Sequence, residues 1–148
     1  MKIEYNNLYT HFVFTTLNRQ PVILEKFRLR IEKYITGIVN NNHCKLYAIY
    51  ANPEHIHLLV SRSPDLDEES LATIIADSSE RFINDNKQCV GMFLWQDSCA
   101  AFSVSKGDVD KVCKYILNQK THHQQHSYQD ERDVFVKFYQ QTIDVKSK

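Results

Sequence analysis

The chain predicts an α+β sandwich, an antiparallel sheet with two helices on one face, and three observations point to it. Hydrophobic residues switch between a strand-like and a helix-like repeat in the order strand, helix, strand, strand, helix, strand. Only three glycines and three prolines punctuate 148 residues, so long elements and short connections are expected. Hydrophobic residues make up 43% and charged residues 24%, the balance of a soluble globular protein with its own core, and the whole of 1–148 reads as one domain.

Leu8 to Thr16 is rich in aromatic and β-branched residues and reads as the first strand. Pro21 ends the connection that follows. From Glu25 to about Asn40, Phe27, Ile31, Tyr34, Ile35 and Ile38 recur at helical spacing, and Asn40-Asn41-Asn42 stops the helix. Cys44 to Ala51 and His55 to Ser61 read as two strands joined by a tight turn at Asn52-Pro53-Glu54. Asp67, Glu68 and Glu69 make an acidic first turn for a second helix, whose inward stripe is Leu71, Ile74, Ile75, Ser78 and Phe82 and whose end lies near Asn84 to Lys87. Phe93 to Ser105 is β-like again, with Trp95 expected in the core. Asp108 or a neighbour then starts a third helix, in which Val109, Val112, Cys113, Ile116 and Leu117 form the buried stripe. A short C-terminal helix is expected from about Asp130 to Gln141. This order is that of a ferredoxin-like sandwich, with the third helix, which carries Tyr115, extra to the core.

Composition excludes several classes. No apolar run approaches the ~20 residues needed to cross a bilayer, and Met1 to Asn7 lacks the apolar core of a signal peptide, so a cytoplasmic protein with no membrane partner is expected. Cys44, Cys89, Cys99 and Cys113 form no Cys-x-x-Cys pair and read as reduced, mostly buried thiols. The 18 basic residues balance 18 acidic ones, so no global positive field advertises nucleic acid. A local basic segment does exist, where Lys106, Lys111, Lys114 and Lys120 outnumber Asp108 and Asp110.

His55 and His57 carry the strongest chemical signal. In an extended strand both imidazoles project from one face, ~6.6 Å apart at Cα, which is a chelating geometry. Downstream, Tyr115 and Gln119 lie one helical turn apart on a polar flank shared with Lys111, Asn118 and His122. Other histidines read more plainly. His122, His123 and His126 suggest a solvated helix end rather than a second metal site or a phosphate-contacting patch, and His11 and His43 structural or exposed positions. Tyr47, Tyr50, Tyr128 and Tyr139 are rival phenols, but none has an amide one turn away on a helix facing the sheet.

His-x-His on a central strand and Tyr-x-x-x-Gln on a late helix together resemble the HUH-type single-tyrosine transposases, among them insertion-sequence and REP-associated enzymes. The resemblance extends over most of residues 8 to 124. It runs through Leu8 to Thr16, through Asn52-Pro53-Glu54-His55-Ile56-His57-Leu58-Leu59, and through Phe93 to Gln96 with Ala101 to Ser105. It ends on Tyr115-Ile116-Leu117-Asn118-Gln119-Lys120-Thr121-His122-His123. The chain departs from the family at Ser98-Cys99-Ala100, where relatives often carry a glycine-rich run that lets backbone approach DNA.

The resemblance implies a nuclease and strand transferase acting on single-stranded hairpin DNA. Tyr115 would attack a phosphodiester and form a 5′-phosphotyrosyl intermediate, with His55, His57 and Gln119 holding Mg²⁺ or Mn²⁺. Lys111, Lys114, Asn118, Lys120 and His122 would be DNA contacts. It also implies a homodimer in which the tyrosine helix of one subunit can complete the site of the other. A free phenol, with a pKa near ~10, is a poor nucleophile at neutral pH, and neutral ligands leave an ion its full Lewis acidity. Two alternatives stand beside this reading. One is a transposase-derived hairpin-binding module with reduced or lost cleavage. The other is a metal phosphoesterase for small molecules, which generally needs a second histidine motif or carboxylate ligands that the chain lacks.

Overall fold

The computed structural model describes residues 1–120, and the chain divides into two compact units, Met1–Leu117 and Asn118–Lys148. In the first unit β1 (Tyr9–Thr15), α1 (Glu25–Asn41), β2 (Lys45–Ala51), β3 (His55–Ser61), α2 (Glu68–Asp85), β4 (Ala100–Val104) and α3 (Val109–Leu117) follow in chain order. The strands form one antiparallel sheet in the order β2-β3-β1-β4, the ferredoxin-like arrangement that the hydrophobic pattern predicts. The expected C-terminal helix, with His122, His123, His126, Tyr128 and Tyr139, lies outside the described residues.

Register decides which side chains share a face. Thr10 stands opposite Val60, Phe12 opposite Leu58 and Phe14 opposite Ile56. Opposed residues in an antiparallel pair point the same way. These project toward α1 and α2, where Ile31, Ile35, Val39, Leu71, Ile75 and Ile83 complete the main core. The intervening residues point to the other face, where Ile116 of α3 joins Ala48, Leu59 and Val104 in a smaller cluster.

Several elements differ from expectation. The inward stripe of α2 is Leu71, Ala72, Ile75, Ser79 and Ile83, so Ser79 and Ile83 take the places expected for Ser78 and Phe82. Ser79 is tolerated in the core because its hydroxyl donates to the Ile75 carbonyl (2.6 Å) and accepts from Trp95 Nε1 (3.0 Å). Phe82 instead stacks on Tyr34 between α1 and α2, with ring centres 3.9 Å apart. Only Ala100–Val104 of the expected 93–105 stretch is strand. Asn84 binds both the N–H and the carbonyl of Phe93 (2.7 and 3.0 Å), which feeds the rings of Phe93 and Trp95 into the core from irregular backbone.

α3 buries Ile116 alone, and Leu117, expected to face inward, is 58% exposed. The residue after Ile116 is turned ~100° around the helix and so leaves the sheet. The cysteines are all free, but only Cys44 is buried. Cys89 and Cys113 are half-buried and Cys99, on the irregular approach to β4, is exposed. Among the described residues no helix is long and apolar enough to cross a membrane.

Candidate metal and nucleophile site

The face of the sheet under α3 carries the histidines. Thr15 stands opposite His55, Val13 opposite His57 and His11 opposite Leu59, so both motif histidines and His11 project to the same side. The turn that launches β3 is pinned from three directions. Thr16 donates its N–H (2.9 Å) and its hydroxyl (3.1 Å) to the Glu54 carbonyl, and Ile23 N–H donates to the Pro53 carbonyl (3.0 Å). From α1, Glu32 accepts the Ala51 N–H (3.0 Å) and is itself held by Arg28 (2.9 Å). Burial raises the Glu32 carboxyl above its usual range, against the pull of Ala51 and Arg28.

His55 and His57 are almost wholly enclosed, and their ring centres are 4.9 Å apart at 77°. Two imidazoles gripping one first-row divalent ion through bonds of about 2.1 Å put their ring centres about 5 Å apart, so the spacing suits a shared ion. The hydrogen bonds point the same way. His55 Nδ1 meets Glu54 Oε1 at 3.0 Å, and because an ionised carboxylate only accepts, Nδ1 carries the proton. His55 Nε2 then offers its lone pair, which Asn52 Nδ2 approaches at 3.3 Å. That is the tautomer a metal ligand requires.

His57 Nδ1 lies 2.9 Å from Nε2 of His11. Burial, and secondarily the nearby His57, lower His11 to about 3, so it is neutral at physiological pH. Tyr115 of α3 sets its ring edge-on to His57, with centres 5.7 Å apart and planes at 85°. One chain therefore brings the candidate nucleophile and the histidine pair together. Tyr50, a rival phenol, stands opposite His57 on β2, but its ring lies under the Arg28 guanidinium at 4.7 Å and burial raises its phenol above the ordinary value despite that cation.

The remaining expected residues are distributed differently. Lys111 and Lys114 are exposed on α3. Tyr115 and Gln119, expected one turn apart on one helix, are separated by a turn at Asn118 just past the end of α3. Asn118, Gln119 and Lys120 open the second unit, where the Gln119 side chain is fully buried, and His122 lies outside the described residues. Among the described residues no group of three or more His, Cys, Asp or Glu could hold a metal, so a pair of imidazoles needs amide, water or phosphate oxygens to complete a shell. A cleft lined by Phe12, Phe14, Glu68, Glu69, Gln96 and Asp97 opens on the α2 side of the sheet instead. Its carboxylates would repel a phosphodiester, and it plays no part in the site.

His11, Asn52 and Glu54 are the functional candidates that sequence reasoning passed over. Glu54 could have been found from its adjacency to His55. Nothing in the sequence reveals that a histidine on β1 reaches one on β3.

The fold is shared with solved transposase structures. A Deinococcus radiodurans R1 protein assigned as a transposase superposes with a TM-score of 0.62 at 21% identity, covering 80% of this chain and 96% of that one. A REP-associated tyrosine transposase bound to a REP hairpin gives 0.61 at 17% identity, over 83% of this chain and 73% of that one. No curated protein matches the sequence. Residues 4–119 match the sequence profile of the IS200-like transposases, a span that takes in the whole sheet, both motif histidines and Tyr115, and the chain belongs to that family.

Proposed function

We propose that the protein cleaves and rejoins single-stranded DNA by tyrosine transesterification, with a hairpin as the recognised element. The edge-on contact of Tyr115 with His57 carries this reading, because it puts a phenol against the strand whose two imidazoles are spaced for one divalent ion. The hairpin comes from the REP-bound relative, whose fold this chain shares.

Tyr115 Oη attacks the scissile phosphorus. The new bond joins phosphorus to the tyrosine oxygen, the bond to the 3′ oxygen breaks, the phenol proton is lost and the leaving oxygen takes up a proton as a 3′-OH. The phosphodiester energy is kept in the phosphotyrosine, so a second 3′-OH reverses the step without ATP. His55 and His57 would hold Mg²⁺ or Mn²⁺ through Nε2, and the resemblance of the Tyr115-to-Gln119 motif to the tyrosine transposases adds the Gln119 amide oxygen as a third ligand. When bound, the ion supplies Lewis-acid polarisation of the phosphate. Glu54 and the pinned 52–54 turn keep the His55 lone pair aimed, and Asn52, which donates to that lone pair, would give way to the ion. Lys111, Lys114, Asn118, Lys120 and His122 would be the DNA contacts. We include a homodimer in this reading, because the resemblance to the tyrosine transposases implies one.

The test is incubation with end-labelled single-stranded hairpin DNA and Mn²⁺ or Mg²⁺, read on a denaturing gel. The wild type is expected to form a covalent protein–DNA adduct that Tyr115→Phe abolishes and His57→Ala reduces by orders of magnitude. An adduct that survives Tyr115→Phe would overturn the nucleophile. Binding without cleavage in either metal would favour a hairpin-binding module, and turnover of small phosphoesters without an adduct a phosphoesterase.

A further inference from the structure

We infer that His11 is a positioning residue that fixes the tautomer of His57, accepting the His57 Nδ1 proton on its own Nε2. This rests on the reading of His55 and His57 as metal ligands. His11 belongs to β1 and is diagonal to His57 on β3, since His11 faces Leu59 and His57 faces Val13. Diagonal neighbours on one sheet face are close enough for long or aromatic side chains to touch. The two rings do, with Nε2 and Nδ1 2.9 Å apart and centres 5.1 Å apart.

A nitrogen pair at that distance shares one proton, and only one of the two arrangements is compatible with a ligand. If His11 donated, His57 Nδ1 would carry the lone pair and Nε2 the proton, and Nε2 could not bind a cation. If His57 donates, its lone pair is on Nε2, the nitrogen that would hold the ion. The His11 ring is packed in place by its own surroundings. It is fully buried, and Phe102, directly opposite it on β4, meets it edge-on with centres 6.1 Å apart. His55 reaches the same tautomer by a different device, a carboxylate on the preceding residue.

The asymmetry has a consequence for the chemistry. A carboxylate behind a ligating histidine pushes negative charge toward the ion, whereas a neutral imidazole orients the ring and adds none. One ligand would be fixed with charge and the other without it, so the site would retain more Lewis acidity than one with two carboxylate-backed histidines.

The experiment reads the tautomer directly. In metal-free protein, two-bond ¹⁵N–¹H spectra of the imidazoles are expected to show His57 protonated at Nδ1. His11→Ala is expected to shift it toward the Nε2-protonated form favoured in water, and His11→Gln, whose amide oxygen can accept the same proton, to restore Nδ1–H. In parallel, Mn²⁺ affinity by electron paramagnetic resonance should fall about 10- to 100-fold in His11→Ala and recover in His11→Gln. An Nε2-protonated His57 in the wild type would overturn the inference, as would a folded His11→Ala protein with unchanged tautomer and Mn²⁺ affinity. A wild type that binds no Mn²⁺ while showing Nδ1–H on His57 would overturn the metal reading and leave the His11 contact standing.

Discussion

The two faces of one sheet are built on different physics. Toward α1 and α2 the strands present Phe12, Phe14, Ile56, Leu58 and Val60, which are interchangeable in kind because each contributes apolar area and volume. Toward α3 the same strands present His11, His55 and His57, all buried, and each histidine must have a specific atom placed against a specific partner. Alternation along a strand lets both exist in adjacent residues. Ile56 belongs to the first face and its neighbours His55 and His57 to the second. The main core holds the strands rigid, and the rigid strands aim the imidazoles.

Leu58 and Leu59 test that division most sharply, since both are leucines, both are fully buried and they face opposite ways. Leu58→Ala is expected to cost about 2–5 kcal/mol of stability by urea denaturation, while the remaining folded protein cleaves hairpin DNA at the wild-type rate. Leu59→Ala removes packing from the smaller cluster beside His11. It should destabilise toward the low end of that range yet lower adduct formation per folded molecule. Equal cleavage defects in the two variants would erase the distinction between the faces.

A smaller effect is expected at Glu54. Glu54→Gln keeps the shape of the contact with His55 Nδ1 but loses its charge, and Mn²⁺ affinity measured by calorimetry should drop about 10-fold. An unchanged affinity would show that the negative charge behind His55 adds nothing to its hold on the ion.

The smallest effect belongs to the scaffold. Asp67 caps α2 by accepting the Ser70 N–H at 2.6 Å, and that bond lowers its carboxyl below the ordinary value. Because its folded pKa lies below its unfolded one, its contribution is present above the usual carboxylate range and is lost as pH falls through the lowered folded value. Asp67→Asn keeps a capping oxygen without the titration. Its melting temperature should therefore fall slightly less than that of the wild type between neutral pH and pH ~3. A parallel fall in both proteins would assign acid sensitivity to other carboxylates.

Much of this architecture is legible along the chain, for local reasons. The bounds of β3 are readable because His55 to Ser61 lies between two turn signals, and α1 because its apolar residues keep helical spacing up to an asparagine cluster. The 93–99 segment misleads because Phe93 and Trp95 have strand-like side chains but enter the core from loop backbone fixed by Asn84. In α2 the choice between Ser78 and Ser79 turns on one hydrogen bond, from a tryptophan sixteen residues away. Spacing within the helix carries no trace of it.

By itself, the sequence determined the order of elements and the common face of His55 and His57, because each follows from the repeat of a strand or helix. Only the tertiary structure decided that His11 meets His57 and that Tyr115 lies against that same imidazole within one chain. Those facts depend on the register between β1 and β3 and on the face of the sheet that α3 covers. Both are set by burial of residues far apart in the chain, and no local repeat encodes them.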